Sequence, residues 1–428
     1  MTLVANAPVD GFTILEAPGG VEVHLQRTGK YKSVYVQWVL ERSLDGRRAA
    51  FALLPDLLTR GTRTSPGLAR MAARCEDLYA TELHSSVAAH GPAQLLRFGL
   101  QCISDRLADG RPLVRDAVAL LAEVLHDPPL LDGRFRDEVL DQERTNLVHA
   151  IEGIADDKGL YAYRRMIEAM HAGTPRALHS WGTVELAQAL DEPAVRAAWT
   201  EAGQRLPARL FIVGDVSEET ALLAAQALAG GTSHGAPAGP LPPPSLPARP
   251  VQRLHERQPL NQSKLAMGFR IPAELLPGAA ATLFGLVYGG ESHSRLFKRV
   301  REKESLAYGC SAAVSIDNAT LVVQSGVDAV SAARTQELVL EELARLARDG
   351  VGDEEIELSR RAQRRRLRNL KDSPRGLLAF RLSGLMNGRA WSLDQALEEL
   401  ERVTPAEVAA VAAGCELDTV FLLEGTRT

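Results

Sequence analysis

The ten histidines are the first residues in this sequence that could bind a metal or move protons. A zinc-binding helix needs two imidazoles four residues apart, so that both leave the same face one turn apart. His84 and His90 flank a strand-like stretch, His171 and His179 lie near a loop, and neither pair has that spacing. Lone histidines of this kind read as core or surface residues. Cys75, Cys102, Cys310 and Cys415 lie far apart and form no C-x-x-C pair, which argues against a thiolate metal site or a disulfide framework and fits a reducing compartment. The sequence holds no G-x-S-x-G nucleophile turn and no G-x-x-x-x-G-K-[ST] phosphate loop. One basic run, Arg360, Arg361, Arg364, Arg365, Arg366 and Arg368, sits beside Glu354, Glu355 and Glu357 and reads as a solvated helix face. With 49 basic against 54 acidic residues and a net charge of -5, the chain lacks the electrostatic footprint of a nucleic-acid binder.

The elements that must position any site follow from length and patterning. At 428 residues, with 45% hydrophobic and 24% charged residues, the chain is long enough for two globular domains. The segment 230–250, GGTSHGAPAGPLPPPSLPARP, can bury no face and reads as a semi-rigid linker. It separates an N-terminal domain, 1–229, from a C-terminal domain, 251–428. Each half opens with strand patterns and continues into helices. In the first, 21–25 and 33–40 read as strands, 47–60 and 65–78 as helices, and 82–89 and 94–103 as strands turning at Gly91-Pro92. Helical patterns then cover 112–125 and 132–170, with a break near Asp156-Asp157. In the second half, 263–270, 306–315 and 319–326 read as strands, and 274–288 and 292–302 as helices. Both halves close alike, with Pro193 or Pro405 starting a short helix and an apolar strand ending before Gly214 or Gly425. This pattern implies α+β architecture in two homologous domains, each a mostly antiparallel sheet with helices on one face. The N-terminus lacks a basic region followed by a long apolar run, and no stretch reaches about 18 apolar residues. A cytoplasmic protein without a membrane span is the expectation.

The stretch GGESHSRLFKRVREKESLAYGCSAAVS, residues 289–315, resembles the C-terminal signature of the insulinase/pitrilysin type of zinc peptidase, especially its bacterial, mitochondrial-processing-peptidase-like branch. A Gly pair, S-R-L-F, V-R-E-K and L-A-Y fall in one register. In that family an Arg seven residues before a Tyr binds substrate beside the zinc, and the resemblance places this pair on Arg301 and Tyr308. A guanidinium and a phenolic hydroxyl suit the task, because preorganised donors stabilise the oxyanion formed when a peptide carbonyl is attacked.

The first half resembles the family's N-terminal domain with one departure. Family members carry H-x-x-E-H on a helix followed by Gly-Thr. Here the matching stretch is AFALLPDLLTRGT, in which Gly61-Thr62 sets the register and Ala52, Pro55 and Asp56 stand where His, Glu and His belong. Alanine and proline can neither hold zinc nor activate water, and a mid-helix proline costs about 3 kcal/mol or a kink. The family's third ligand, a Glu on a later helix, would fall near QERTNLVHAIEGIADD, where the register points to His149 or Ala150; Glu143 and Glu152 are neighbours and are not nominated. The stretches DDKGLYAYRRM and RTSPGLARMAARCEDLYATELHSS are also similar to the family, so the resemblance spans nearly the whole chain.

The resemblance implies a chain inactive alone that holds no cofactor of its own. It implies the non-metal subunit of a heterodimeric zinc metallopeptidase, giving Arg301 and Tyr308 to a homologous partner that bears H-x-x-E-H and zinc, with a peptide as substrate. The alternative is a catalytically silent peptide-binding or scaffold protein of the same fold. A homodimer of the isolated chain stays open.

Overall fold

Alternating apolar residues build the first sheet, since successive side chains of a strand point to opposite faces. Val34, Val36, Trp38 and Leu40 are at most 2% exposed and share one face of the strand Ser33–Ser43. The computed structural model describes residues 6–9, 11–237, 239–241, 243–244, 249–276, 278–389 and 391–426. Of the expected linker, residues 238, 242 and 245–248 therefore lie outside the described residues, as does Pro277 of the helix expected over 274–288.

The described strands are β1 (Asn6–Val9), β2 (Phe12–Ala17), β3 (Val21–Arg27), β4 (Ser33–Ser43), β5 (Glu82–His90), β6 (Ala93–Ile103) and β7 (Ala208–Gly214), then β8 (Gln252–Gln258), β9 (Ser263–Arg270), β10 (Ala307–Ser315), β11 (Thr320–Val327) and β12 (Glu416–Gly425). The helices are α1 (Arg48–Thr59), α2 (Leu68–Asp77), α3 (Leu113–His126), α4 (Asp137–Asp156), α5 (Lys158–Met170), α6 (Val184–Gln188), α7 (Glu192–Gln204) and α8 (Glu218–Ala229). They continue with α9 (Ala279–Gly285), α10 (Ala332–Asp349), α11 (Asp353–Leu370), α12 (Pro374–Met386), α13 (Leu393–Arg402) and α14 (Pro405–Gly414).

These elements form two units. The first comprises the described residues of Met1–Glu152, Leu178–Pro240 and Ser373–Ala390, and the second those of Gly153–Ala177, Leu241–Asp372 and Trp391–Thr428. The first sheet runs β1-β2-β3-β7-β4-β6-β5 and the second β10-β11-β9-β12-β8. Within them, β3-β7-β4-β6-β5 and β8-β12-β9-β11-β10 have the same order and the same directions. In each, the first pair is parallel and the other three are antiparallel. The duplication inferred from the two similar ends thus extends to five strands of each sheet, which are mixed sheets with one parallel pair.

In the first unit, α1, α3, α7 and α8 cover one face of the sheet in a single apolar cluster that includes Phe51, Leu54, Leu121, Phe98 and Ile212. The opposite face carries polar residues and receives α12 from far along the chain. Arg381, 2% exposed, donates from Nε to His24 Nδ1 at 3.5 Å, and His24 Nε2 meets Glu22 at 2.6 Å. Arg209 joins Glu22 at 3.2 Å to Glu41 at 2.9 Å. In the second unit it is α5 that packs on the sheet, through Ala162, Met166, Ile167 and Met170 against Ala266, Val322, Phe421 and Leu423. Gly268 makes the approach feasible, because a Cβ there would lie 2.5 Å from the Met166 sulfur and 2.8 Å from that of Met170. The expectation of helices on one face therefore fails in both sheets: α12 covers the second face of the first sheet, and α5 packs on the face of the second sheet opposite the one that α9 approaches.

Candidate functional site

In the second unit, the 289–315 stretch is a turn, a helix and an edge strand in close succession. Backbone bonds spanning five residues give Leu286–Gly290 and Phe297–Lys303 π-helical character, where regular helix was expected. Such turns widen a helix locally and recur at functional sites. The Gly pair has a steric reason: a Cβ on Gly289 would sit 2.5 Å from the Ala312 nitrogen of β10, so only glycine lets the chain lie on that strand. Tyr288, fully buried, donates to the Val339 carbonyl at 2.6 Å, and burial raises its pKa well above the ordinary tyrosine value.

The arginines of this stretch divide by partner. Arg295 grips both carboxylate oxygens of Glu355 at 2.9 and 2.8 Å and the Gly350 carbonyl at 2.7 Å. Arg299 pairs with Glu304 at 3.0 Å and lies 3.7 Å from Glu342. Leu296 and Val300 are completely buried and fix the inner face of the turn. Arg301 points outward: it is exposed, its guanidinium lies 4.7 Å from the centre of the Phe297 ring, and it has no acid or carbonyl partner among the described residues. Stacking on an aromatic face restrains an arginine without consuming its N–H donors.

Tyr308 occupies a β-bulge. Ala307 pairs with Val327 and Gly309 with Gly326, so Tyr308 is the extra residue of β10 with no opposite number on β11. Bulges re-aim a side chain, and Tyr308 is 80% exposed, the fate of few tyrosines. Between Arg301 and Tyr308 the chain reverses through Ser305 at φ 52°, with Leu306 N–H bonding to the Val300 carbonyl at 3.1 Å. A cavity of about 630 Å³ is lined by Phe297, on which Arg301 stacks, by Gly309, next in sequence to Tyr308, and by Ser311, Glu291, Lys264 and Gln324 among others; neither Arg301 nor Tyr308 is among its lining residues. Cys310 also lines it, but burial pushes its thiol up to about 12, which leaves it protonated and unsuited to nucleophilic attack.

In the first unit, α1 carries the positions that would form a metal helix. Ala52 is 4% exposed and packs in the apolar cluster, Pro55 is buried inside the helix, and Asp56 is exposed one turn from Ala52. The acid that faces α1 from α4 is Glu143, 4% exposed, and its carboxylate is held by the guanidinium of Arg60 and by Asn146 at 3.2 Å. His149 and Ala150, to which the sequence register pointed, are exposed, and Glu143 is the inward residue. The signal was the run Gln142-Glu143-Arg144, whose Glu lies a turn before Leu147 on the buried stripe. Desolvation, reinforced by the neighbouring Glu143 charge and opposed by Arg60, raises the pKa of Asp56 above its ordinary value. Two carboxylates, a methyl group and a proline ring do not make a zinc site, since no imidazole is present and one carboxylate is committed to an arginine. Among the described residues no group of three or more His, Cys, Asp or Glu side chains is placed to hold a metal.

The remaining histidines lie elsewhere. His84 Nε2 meets the Tyr35 hydroxyl at 2.7 Å and His90 meets Asn387 at 3.2 Å. His171 is 1% exposed, and His179 Nδ1 accepts from the Trp181 backbone at 3.2 Å. No helix among the described residues is long and apolar enough to cross a membrane.

Two duplicated sheet-and-helix units, one with an exposed Arg and Tyr and one with an ion pair beside the positions expected of a metal helix, have the M16 peptidase fold, with no metal-ligand set among the described residues. Residues 205–363 match the family model described as the peptidase M16 inactive domain. The chain is 25% identical over 413 residues to a probable inactive metalloprotease, YmfF, of Bacillus subtilis (strain 168), covering 96% of this chain and 97% of that one. A conserved protein from Enterococcus faecalis V583 has the same fold, with a TM-score of 0.89 at 22% identity and complete coverage of both chains. A peptidase M16 inactive domain from Pseudomonas fluorescens superposes with a TM-score of 0.79 at 17% identity, over 97% of this chain and 98% of that one. The chain is thus similar over nearly its whole length to M16 peptidase-like proteins, including ones described as inactive.

Proposed function

We propose that this chain is the metal-free subunit of a heterodimeric zinc metallopeptidase, inactive alone, which supplies Arg301 and Tyr308 to a peptide held by a homologous H-x-x-E-H subunit. One observation carries the reading. Arg295 and Arg299 are spent on ion pairs, whereas Arg301, restrained by Phe297, keeps its donors uncommitted among the described residues, and the bulge leaves Tyr308 exposed seven residues later. Restrained but unspent donors are what a developing oxyanion requires. The cavity of about 630 Å³ is large enough for a stretch of peptide and is bounded by both polar and apolar side chains. Zinc and the general base belong to the partner in this reading, and the four free cysteines favour assembly in the cytoplasm.

The test is to co-express the chain with an H-x-x-E-H homologue and compare peptide cleavage by the homologue alone, the wild-type pair and pairs carrying Arg301→Ala or Tyr308→Phe. At equal assembly and zinc content, each variant should slow cleavage by about 10² to 10³, the usual effect of losing one oxyanion donor. Pairs that cleave as fast as wild type would assign both residues to structure and leave the scaffold reading in its place.

A further inference from the structure

We infer that the first unit holds a second, separate binding site, for the C-terminus of a peptide that ends in an apolar residue. It is a cavity of about 290 Å³ at the C-terminal end of α1 and the start of α4. Its walls are apolar, made by Leu57, Pro66, Leu68, Pro129, Phe135 and Val139, and its two charged lining residues are Arg60 and Arg136.

The walls are fixed. Phe135 is 6% exposed, stacks edge-on against Trp199 at 5.7 Å, and its backbone N–H bonds to Glu192 at 3.2 Å. Leu57 is 3% exposed in the core face of α1. At the mouth, Leu68 is 56% exposed, an uncommon position for a leucine.

Charge decides the occupant. Arg60 is neutralised by Glu143, so it does not call for a further anion. Arg136 is exposed and its side chain has no hydrogen-bond or ion-pair partner among the described residues, while its carbonyl is anchored by the N–H groups of Val139 and Leu140 at 3.1 and 3.0 Å. An apolar cavity with one uncommitted guanidinium at its edge fits a ligand with a carboxylate close to an apolar group. Arg136 and the wall residue Phe135 are adjacent in sequence, which matches a C-terminal residue, whose carboxylate and side chain leave the same carbon. The volume has room for one such side chain and part of its backbone. Gly67, which lines the mouth, leaves open space where a side chain would stand, a path for the rest of the peptide.

The site uses none of the residues assigned to catalysis in trans. Calorimetric titration of the full chain with acetyl-Gly-Gly-Leu bearing a free carboxylate should give saturable binding with Kd below about 1 mM. The C-terminal amide of the same peptide, and the Arg136→Gln variant with the free acid, should each bind about tenfold more weakly or not detectably. Arg136→Lys should retain part of the affinity, and Arg301→Ala should leave it unchanged, which separates this site from the proposed catalytic pair. Equal binding of acid and amide, undiminished binding by a folded Arg136→Gln chain, binding of octanoate but not of the peptide, or no saturable binding at all would each overturn the assignment.

Discussion

Arg60, one turn beyond Asp56 on α1, closes its guanidinium on the buried carboxylate of Glu143 on α4. A side chain of the chain itself thus supplies the positive charge beside Ala52, Pro55 and Asp56, the positions where the sequence resemblance looks for a metal helix.

Removing one partner of this pair should cost more than removing both. Glu143 is 4% exposed, so Arg60→Ala leaves a buried charge with only Asn146 for company and should destabilise the first unit by about 3 kcal/mol. The double variant Arg60→Met, Glu143→Leu should recover most of that loss. Urea unfolding of the three variants checks the order, and an additive double variant would show that the pair is not coupled.

Metal binding should be recoverable only when the arginine goes too. Replacing Ala52, Pro55 and Asp56 by His, Glu and His restores two imidazoles and the base, yet Glu143 stays tied to Arg60. The triple variant should hold little zinc after dialysis, and adding Arg60→Ala should raise the zinc content toward one per chain. Overpacking at the buried Ala52 position would cost about 1–3 kcal/mol, so melting should be followed alongside metal content.

Acid should weaken the fold before the carboxylates titrate. Burial lowers the pKa of His24, and burial aided by Arg375 and by Arg176 respectively holds His84 and His171 down to about 4. An unfolded chain takes up those protons near the ordinary value of 6.5 while the folded chain resists, so this stabilisation is complete above 6.5 and is lost as the pH falls toward 4. Each buried histidine adds a slope of at most about 1.4 kcal/mol per pH unit, less for the partly exposed His84. Glu22, drawn down to about 2 chiefly by its bond to His24, adds a second loss below its ordinary 4.5. Denaturation midpoints from pH 7 to 5 should decline in the wild type and decline less steeply in His171→Phe, where His24 and His84 remain; a level profile in the wild type would contradict the buried, neutral histidines.

The contact between α5 and β9 can be tested at Gly268. Gly268→Val should destabilise by about 1–3 kcal/mol by driving the Met166 and Met170 sulfurs outward, and Met166→Ala in the same chain should return part of the loss.

Much of this was legible before any coordinates. The strand read over 263–270 is β9 residue for residue, and the break near Asp156-Asp157 separates α4 from α5, where the Asp157 carboxylate caps the Gly159 and Leu160 N–H groups. Other features left no local trace. π-Helical turns depend on which carbonyl each N–H selects, and apolar spacing does not distinguish them from regular helix over so few residues. The parallel β3-β7 and β8-β12 pairs join segments far apart in sequence, beyond the reach of alternation patterns. The roles of α5 and α12 did leave a sign, since Gly159-Leu160-Tyr161-Ala162-Tyr163-Arg164 and Gly376-Leu377-Leu378-Ala379-Phe380-Arg381 repeat Gly-Leu-x-Ala-aromatic-Arg. That repeat, which the matching chain ends did not disclose, marks the helix that each sheet takes from across the linker.

The placement of α12 governs the order in which the chain can mature as it leaves the ribosome. Residues that build the first sheet are complete once Gly214 has emerged, but the helix that covers His24, Glu22 and Arg209 ends only at Met386, far along the chain. Until α12 has emerged that face, with its acids and arginines, stays wet, and the nascent first unit depends mainly on the apolar cluster of its other face. The acids and arginines of that face can be solvated until the late helix arrives, whereas Phe211, Val213 and Val39 on the same face stay uncovered until then. Two fragments cut at the linker should each lack a helix, and mixing them should restore native stability that neither attains by itself.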